Sequence, residues 1–284
     1  MSVFTGDLGS HVTETRSVGS FSKVALDGIG RVRVVQSETE SVEVAAPEQV
    51  IGHIETVVEG ETLRLRFERG LRLHDVGKLE IRYEVRARRI DGLAINGAGS
   101  IDAEQLDGKS VRVEIDGAGR IGATAVDAES FGLFVDGSGK IEIDRAKAQA
   151  AETTIDGAGK VRIGDLATRD LRLEVDGAGR IEVARLEAEA VGVRIDGAGT
   201  VAASGRAIET RVDINGMGKV RFEDVAVDRA SVDIDGTGKV ELTANESLEV
   251  RIDGFGKVAY HGRAAVDVRK GGFGKVIRLD DATD

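Results

Sequence analysis

The sequence predicts an all-β fold: a right-handed parallel β-helix (β-solenoid) with coils of about 20 residues and an irregular N-terminal capping region. Three observations carry this. First, the phrase Ile/Val-Asp/Asn-Gly-x-Gly recurs nine times, with its leading glycines at Gly97, Gly117, Gly137, Gly157, Gly177, Gly197, Gly216, Gly236 and Gly254. The step is constant except for slight shortening before Gly216 and Gly254. A near-fixed period of about 20 residues marks a stack of equivalent coils. Second, apolar and polar residues alternate between the phrases, as in Leu171, Leu173 and Val175 against Arg172, Glu174 and Asp176. That period of two belongs to a strand with one buried face. Third, glycine makes up 38 of the 284 residues and falls twice in every phrase, a density that breaks helices.

The elements follow in chain order. Residues 1–20 read as an N-terminal extension. Residues 21–90 read as irregular first coils or an antiparallel start that caps the same domain, because terminal repeats of solenoids are atypical. There the alternation is strand-like at 32–35, 42–44, 54–58, 63–67 and 79–85, and only Leu26-Asp27-Gly28-Ile29-Gly30 carries the phrase. Glu59-Gly60-Glu61, between two alternating runs, predicts a hairpin turn. Residues 91–279 form the regular solenoid.

In the coil around Gly177, Leu171, Leu173 and Val175 precede the glycines and Ile181, Val183 and Leu186 follow them. The next coil repeats this with Val191, Val193, Ile195, Val201 and Ala203, and the preceding one with Ala151, Thr153, Ile155, Val161, Ile163 and Leu166. Equivalent strands of successive coils would pair in parallel about 4.8 Å apart, with right-handed crossovers. Ten phrases, counting the degenerate one at 270–276, would span about 45–50 Å. Lys270 stands where earlier coils have Ile or Val, and Phe255, Tyr260 and Phe273 bring larger rings to the last coils, so the stack is expected to end there. Residues 280–284 read as an acidic tail.

Composition narrows the function. A net charge of −11 and a pI near 5.1 speak against nucleic acid as a partner, since its binders carry a basic face. The chain has no cysteine, which excludes disulfides, thiolate metal sites and cysteine catalysis. No run of about 18 apolar residues occurs, so no transmembrane segment is expected. The N-terminus shows no apolar export signal. On this chain alone the location reads as cytoplasmic, unless a native leader has been removed.

Stacking turns each repeat position into a column. The turn column contains Asp116, Gly117 and Gly119; Asp136, Gly137 and Gly139; Asp156, Gly157 and Gly159; Asp176, Gly177 and Gly179; and Asp196, Gly197 and Gly199. Carboxylates at that spacing could share Ca²⁺. The preferred reading is structural: each Asp accepts backbone N–H bonds from its own Gly-x-Gly in an Asx-turn. Asn96 and Asn215 could accept the same bond without the charge. The glycines are expected to supply positive φ or close coil approach.

Four residues after the Asp comes a basic column: Arg120, Lys140, Lys160, Arg180, Lys219, Lys239, Lys257 and Lys275. It could hold a polyanion, but it reads more simply as a solvated face that balances the Asp column. The Gly-x-Gly motif is no nucleotide loop, which needs one copy feeding a helix N-terminus. His11, His53, His74 and His261 are scattered. No catalytic residue, metal ligand or cofactor site is assigned.

The Gly-x-Gly phrase with its adjacent Asp or Asn, the opening TRSVGSFSKVALDGIGRVRVVQSETESVEV at 15–44 and the closing VAYHG at 258–262 followed by GFGKV resemble the head GIN domain family of putative auto-transporter adhesins. The likeness runs from about residue 15 to 279. It implies a bacterial right-handed parallel β-helix, exported or anchored at the cell envelope, with no catalytic residues to carry over. The expected function is therefore a non-enzymatic, adhesin-like envelope or surface module that binds or builds structure, with an envelope or surface polymer as a candidate partner. The alternative is a self-assembling scaffold or filament inside the cell, with the chain itself as partner in a homo-oligomer. A polysaccharide-active enzyme, with a site near Asp75–Arg89, is the last expectation.

Overall fold

A computed structural model describes residues 9–68 and 79–279, with two short strands at Val3–Phe4 and Arg72–Leu73 besides. The acidic tail, His74 and Asp75 lie outside the described residues. The chain is 79% strand and 2% helix and winds into a β-solenoid of about nine turns. From Gly92 onward every coil pairs in parallel with the next. Gly92–Gly117 lies against Arg120–Gly137 with partners one coil apart in sequence, such as Ile101 with Ile121 and Ile115 with Val135. The register holds through Lys160–Gly177 and Arg180–Gly197. It shifts where the period shortens, between Val183 and Leu186, again between Ala202 and Gly205, and between Phe222 and Ala226.

The interior is made from the alternation. Ile115, Ile155, Val175 and Ile195 from the strand before the turn, and Ile121, Ile141, Val161 and Ile181 from the strand after it, are fully or almost fully buried. Each such side chain contributes about 1.5–3 kcal/mol on leaving water. Among the described residues three polar ones sit in this core, Thr153, Thr168 and Thr210. Thr168 satisfies its hydroxyl on the carbonyls of Gln149 and Asp170, whereas Thr210 Oγ1 is buried with no partner.

The N-terminal region combines parallel and antiparallel pairing. Lys23–Asp27 and Ile29–Gln36 form a coil beneath Gly92–Gly117. Thr62–Phe67 and Arg82–Ala87 lie beneath that coil, also in parallel. Antiparallel strands then close this end: Ile54–Glu59 pairs with Thr62–Phe67 around Gly60 (φ +63°), and Ser41–Pro47 pairs with Arg82–Ala87. Within the N-terminal extension, His11–Arg16 forms a strand antiparallel to Ser41–Pro47. The reason is an open edge: Ser41–Pro47 would otherwise leave one row of backbone donors and acceptors unpaired. Arg16 ties this strand down by donating to the carbonyls of Ile54 and Ile51.

Candidate functional site

Each turn is held by backbone. The amide of Ala158 donates to the carbonyl of Gly137 at 2.8 Å, and that of Lys160 to Gly139 at 2.9 Å. The same pair of bonds links Ala178 to Gly157 and Arg180 to Gly159. The two glycines do different work. Gly157 has φ +118°, and a Cβ there would stand 2.7 Å from the Gly137 carbonyl oxygen. Gly159 is buried, and a Cβ there would meet the Val135 side chain at 2.5 Å. The first glycine permits the bend and the close coil approach, and the second leaves room for the core column.

The Asx-turn expected of the aspartates is not what closes the turn. The amides it would have used already donate to the coil below. Asp116, Asp136, Asp156 and Asp176 are exposed and, among the described residues, have no side-chain partner. Asp196 is paired with Arg194 at 2.9 Å and Asp253 with Arg251 at 2.8 Å. In a parallel stack a carbonyl arrives at every turn from the neighbouring coil, so a side-chain cap is redundant. Among the described residues no group of three or more His, Cys, Asp or Glu could hold a metal ion.

The basic column projects from the strand after the turn, and its counter-charges are not the aspartates. They are glutamates two positions further along, on the same strand or on the next coil. Glu142 is 2.7 Å from both Lys140 and Arg120, Glu182 takes Lys160 and Arg180 at 3.5 and 3.4 Å, and Glu241 takes Lys239 at 2.5 Å. The bond from Lys140, aided by Arg120, holds the Glu142 carboxyl below the usual range, and Lys239 does the same for Glu241. Side chains two positions apart on a strand share a face, and registered neighbours on the next coil share it too, so Glu142 and Glu182 are each reached from their own strand and from the coil below, and not across the corner. Lys219, Lys257 and Lys275 make no direct ion pair among the described residues.

A further feature carries no signal in the repeat phrase. On the face before the turn, a groove of about 570 Å³ crosses five stacked strands between Ser110 and Gly192. Its floor is short side chains or none, at Ser130, Gly132, Ala150 and Gly192. Phe134 lies over Gly132, where a Cβ would collide with the ring, and the Arg112 guanidinium stacks 3.8 Å from the ring centroid. Glu152 and Arg172 stand further along with no hydrogen-bond or ion-pair partner among the described residues. Gly192 is not demanded by packing: a Cβ there would find only the Leu171 carbonyl, at 3.9 Å. Its trace in the sequence is the break in the charged columns at Gly132, Phe134 and Gly192.

The family model for the putative auto-transporter adhesin, head GIN domain, matches residues 20–185 and 166–264. The chain belongs to this family. A putative adhesin from Parabacteroides merdae is similar in structure, with a TM-score of 0.61 at 18% identity over 98% of this chain and 100% of that one. A putative adhesin from Parabacteroides distasonis gives a TM-score of 0.55 at 18% identity, over the same shares of the two chains. At such identity these likenesses speak for the fold. No curated protein matches the sequence. In this head GIN solenoid no helix among the described residues is long and apolar enough to cross a membrane.

Proposed function

We propose that this head GIN solenoid is a non-enzymatic, adhesin-like module of the cell surface or envelope that binds an extended surface polysaccharide. The observation that carries the reading is the groove. It runs along the stack for four coil steps, about 19 Å, which suits a chain-like ligand better than a compact metabolite. Its ring, its unpaired carboxylate and its unpaired guanidinium are the groups that meet the apolar and hydroxyl faces of sugars. Gly192 supports the same reading, since the empty space above it serves no packing need. The family, whose members carry the adhesin description, supports binding over catalysis, as does the near-uniform length of the coils. Self-association has less behind it, because antiparallel strands already cover the N-terminal end of the stack.

The test is binding to an immobilised panel of bacterial and host polysaccharides, with Gly192→Arg as the groove-filling variant. The wild type should bind at least one polymer, and Gly192→Arg should lose at least about tenfold with unchanged melting. Equal binding by the two proteins would move the site off the groove. Failure of the wild type on the whole panel would overturn the reading.

A further inference from the structure

The residue between the two glycines of each turn sits at the tip of one corner of the solenoid. Beyond Ile29 in the first coil, these tips are small as far as Gly199: Ala98, Ala118, Ser138, Ala158, Ala178 and Ala198. In the last four they become Met217, Thr237, Phe255 and Phe273. Met217, Phe255 and Phe273 are 68%, 67% and 82% exposed, while the remaining exposed large apolar side chains stand at 37–38%. Phe255 and Phe273 stack on one another, with centroids 5.6 Å apart and planes 17° from parallel. Nothing in the fold requires a large apolar residue there, since alanine serves the same turn five times.

Behind these tips runs the part of the basic column that is short of counter-charge. Lys219, Lys239, Lys257 and Lys275 are in register on successive coils, and among the described residues only Lys239 is directly paired, with Glu241. That one carboxylate also feels Lys219 and Lys257, so it is shared among three cations. The column position directly before the glycines loses acids over the same coils, although Asp213 and Asp233 stay beside it. Position 215 is Asn, Asp253 is held by Arg251, and Gly271 stands where the acid should be, directly after an exposed Lys270. Phe273 is thus flanked in the chain by Lys270 and Lys275. Asp235, with Asp233 behind it on the same strand, has no direct ion pair among the described residues.

We infer that this corner docks the solenoid on an anionic lipid surface. Apolar tips backed by cations are the two signals that together hold a protein at a bilayer interface: the rings enter the headgroup boundary while the ammonium groups stay with the anionic headgroups. The tips from Met217 to Phe273 cover three coil steps, about 14 Å, so the rod would lie along the surface by this edge. The groove belongs to earlier coils. An oppositely charged protein would call for cations without the exposed rings, and a purely apolar partner for rings without the lysines.

Sedimentation with vesicles tests this, using phosphatidylcholine alone and phosphatidylcholine mixed with phosphatidylglycerol. The protein should bind the mixed vesicles and bind phosphatidylcholine weakly. Phe255→Ser with Phe273→Ser should lower the partition by at least about tenfold. Lys257→Gln with Lys275→Gln should remove the preference for the anionic lipid, and added salt should do so for the wild type. Both variants alter exposed side chains, so circular dichroism and melting should be unchanged. Wild-type protein that stays in the supernatant, or a double serine variant that binds as well as wild type, would overturn the inference. So would a concentration-dependent dimer that the serine substitutions abolish, since the rings would then be covered by a second copy. The assay holds no polysaccharide, so its outcome is independent of the groove.

Discussion

The coils between Gly92 and Gly197 and those between Thr200 and Arg278 use one turn and one hydrogen-bonding scheme and keep the same Asp and basic columns, yet they differ in several side chains that leave the core. The earlier coils keep a strictly constant step, small corner tips, and glutamates opposite their cations. The later coils are slightly shorter, shift register, enlarge the tips and, among the described residues, leave lysines without a direct partner. The turn is built from backbone and glycine, so it tolerates any tip residue and does not depend on the aspartate before it. What varies freely along such a stack is what the fold does not use. The outward positions are therefore where binding surfaces can be written without loss of stability.

The largest effect should come from attacking the shared device. Gly157→Val places a branched side chain at φ +118° against the Gly137 carbonyl, with coils on both sides to resist relaxation. We expect a loss above about 3 kcal/mol in urea unfolding. A midpoint within error of wild type would mean that the two regions share a turn shape but not a turn constraint.

A smaller effect of opposite sign should appear where the later coils depart from the core pattern. Thr210 occupies a column filled by Leu171 and Val191 in the coils below, and its buried hydroxyl has no partner. Thr210→Val should raise stability by about 1 kcal/mol, read as a higher melting temperature. A fall would place an ordered water or a shifted backbone at that hydroxyl.

The smallest effect should come from the acidic corner. Asp156→Ala should change stability by less than about 0.5 kcal/mol, whereas loss of a true side-chain cap costs about 1 kcal/mol. A loss of that larger size would restore the Asx-turn to the earlier coils.

Much of this architecture is legible without coordinates, for a physical reason. Apolar alternation and a fixed glycine period are local properties of the chain, and stacking only multiplies them. Ile115, Ile155 and Ile195 could be placed in one buried column because every coil repeats the same parity. The partner of a polar group is a different matter. Whether Asp156 receives its own turn's amides depends on whether another acceptor is nearer, and that acceptor, the Gly137 carbonyl, comes from the preceding coil. Whether Lys140 answers the aspartates or Glu142 depends on which side of a corner each side chain leaves.

The sequence by itself thus determined the class of fold, its period, its core columns and the family. Only the tertiary structure decided how the N-terminal end is closed, since His11–Arg16 takes its place from an edge offered by Ser41–Pro47. It alone joined Gly132 and Phe134 on one coil with Gly192 on another into one groove, and aligned Met217, Phe255 and Phe273 on one edge. Periodicity announces itself within a single coil, but a surface is a sum over coils, and its shape exists only once they are stacked.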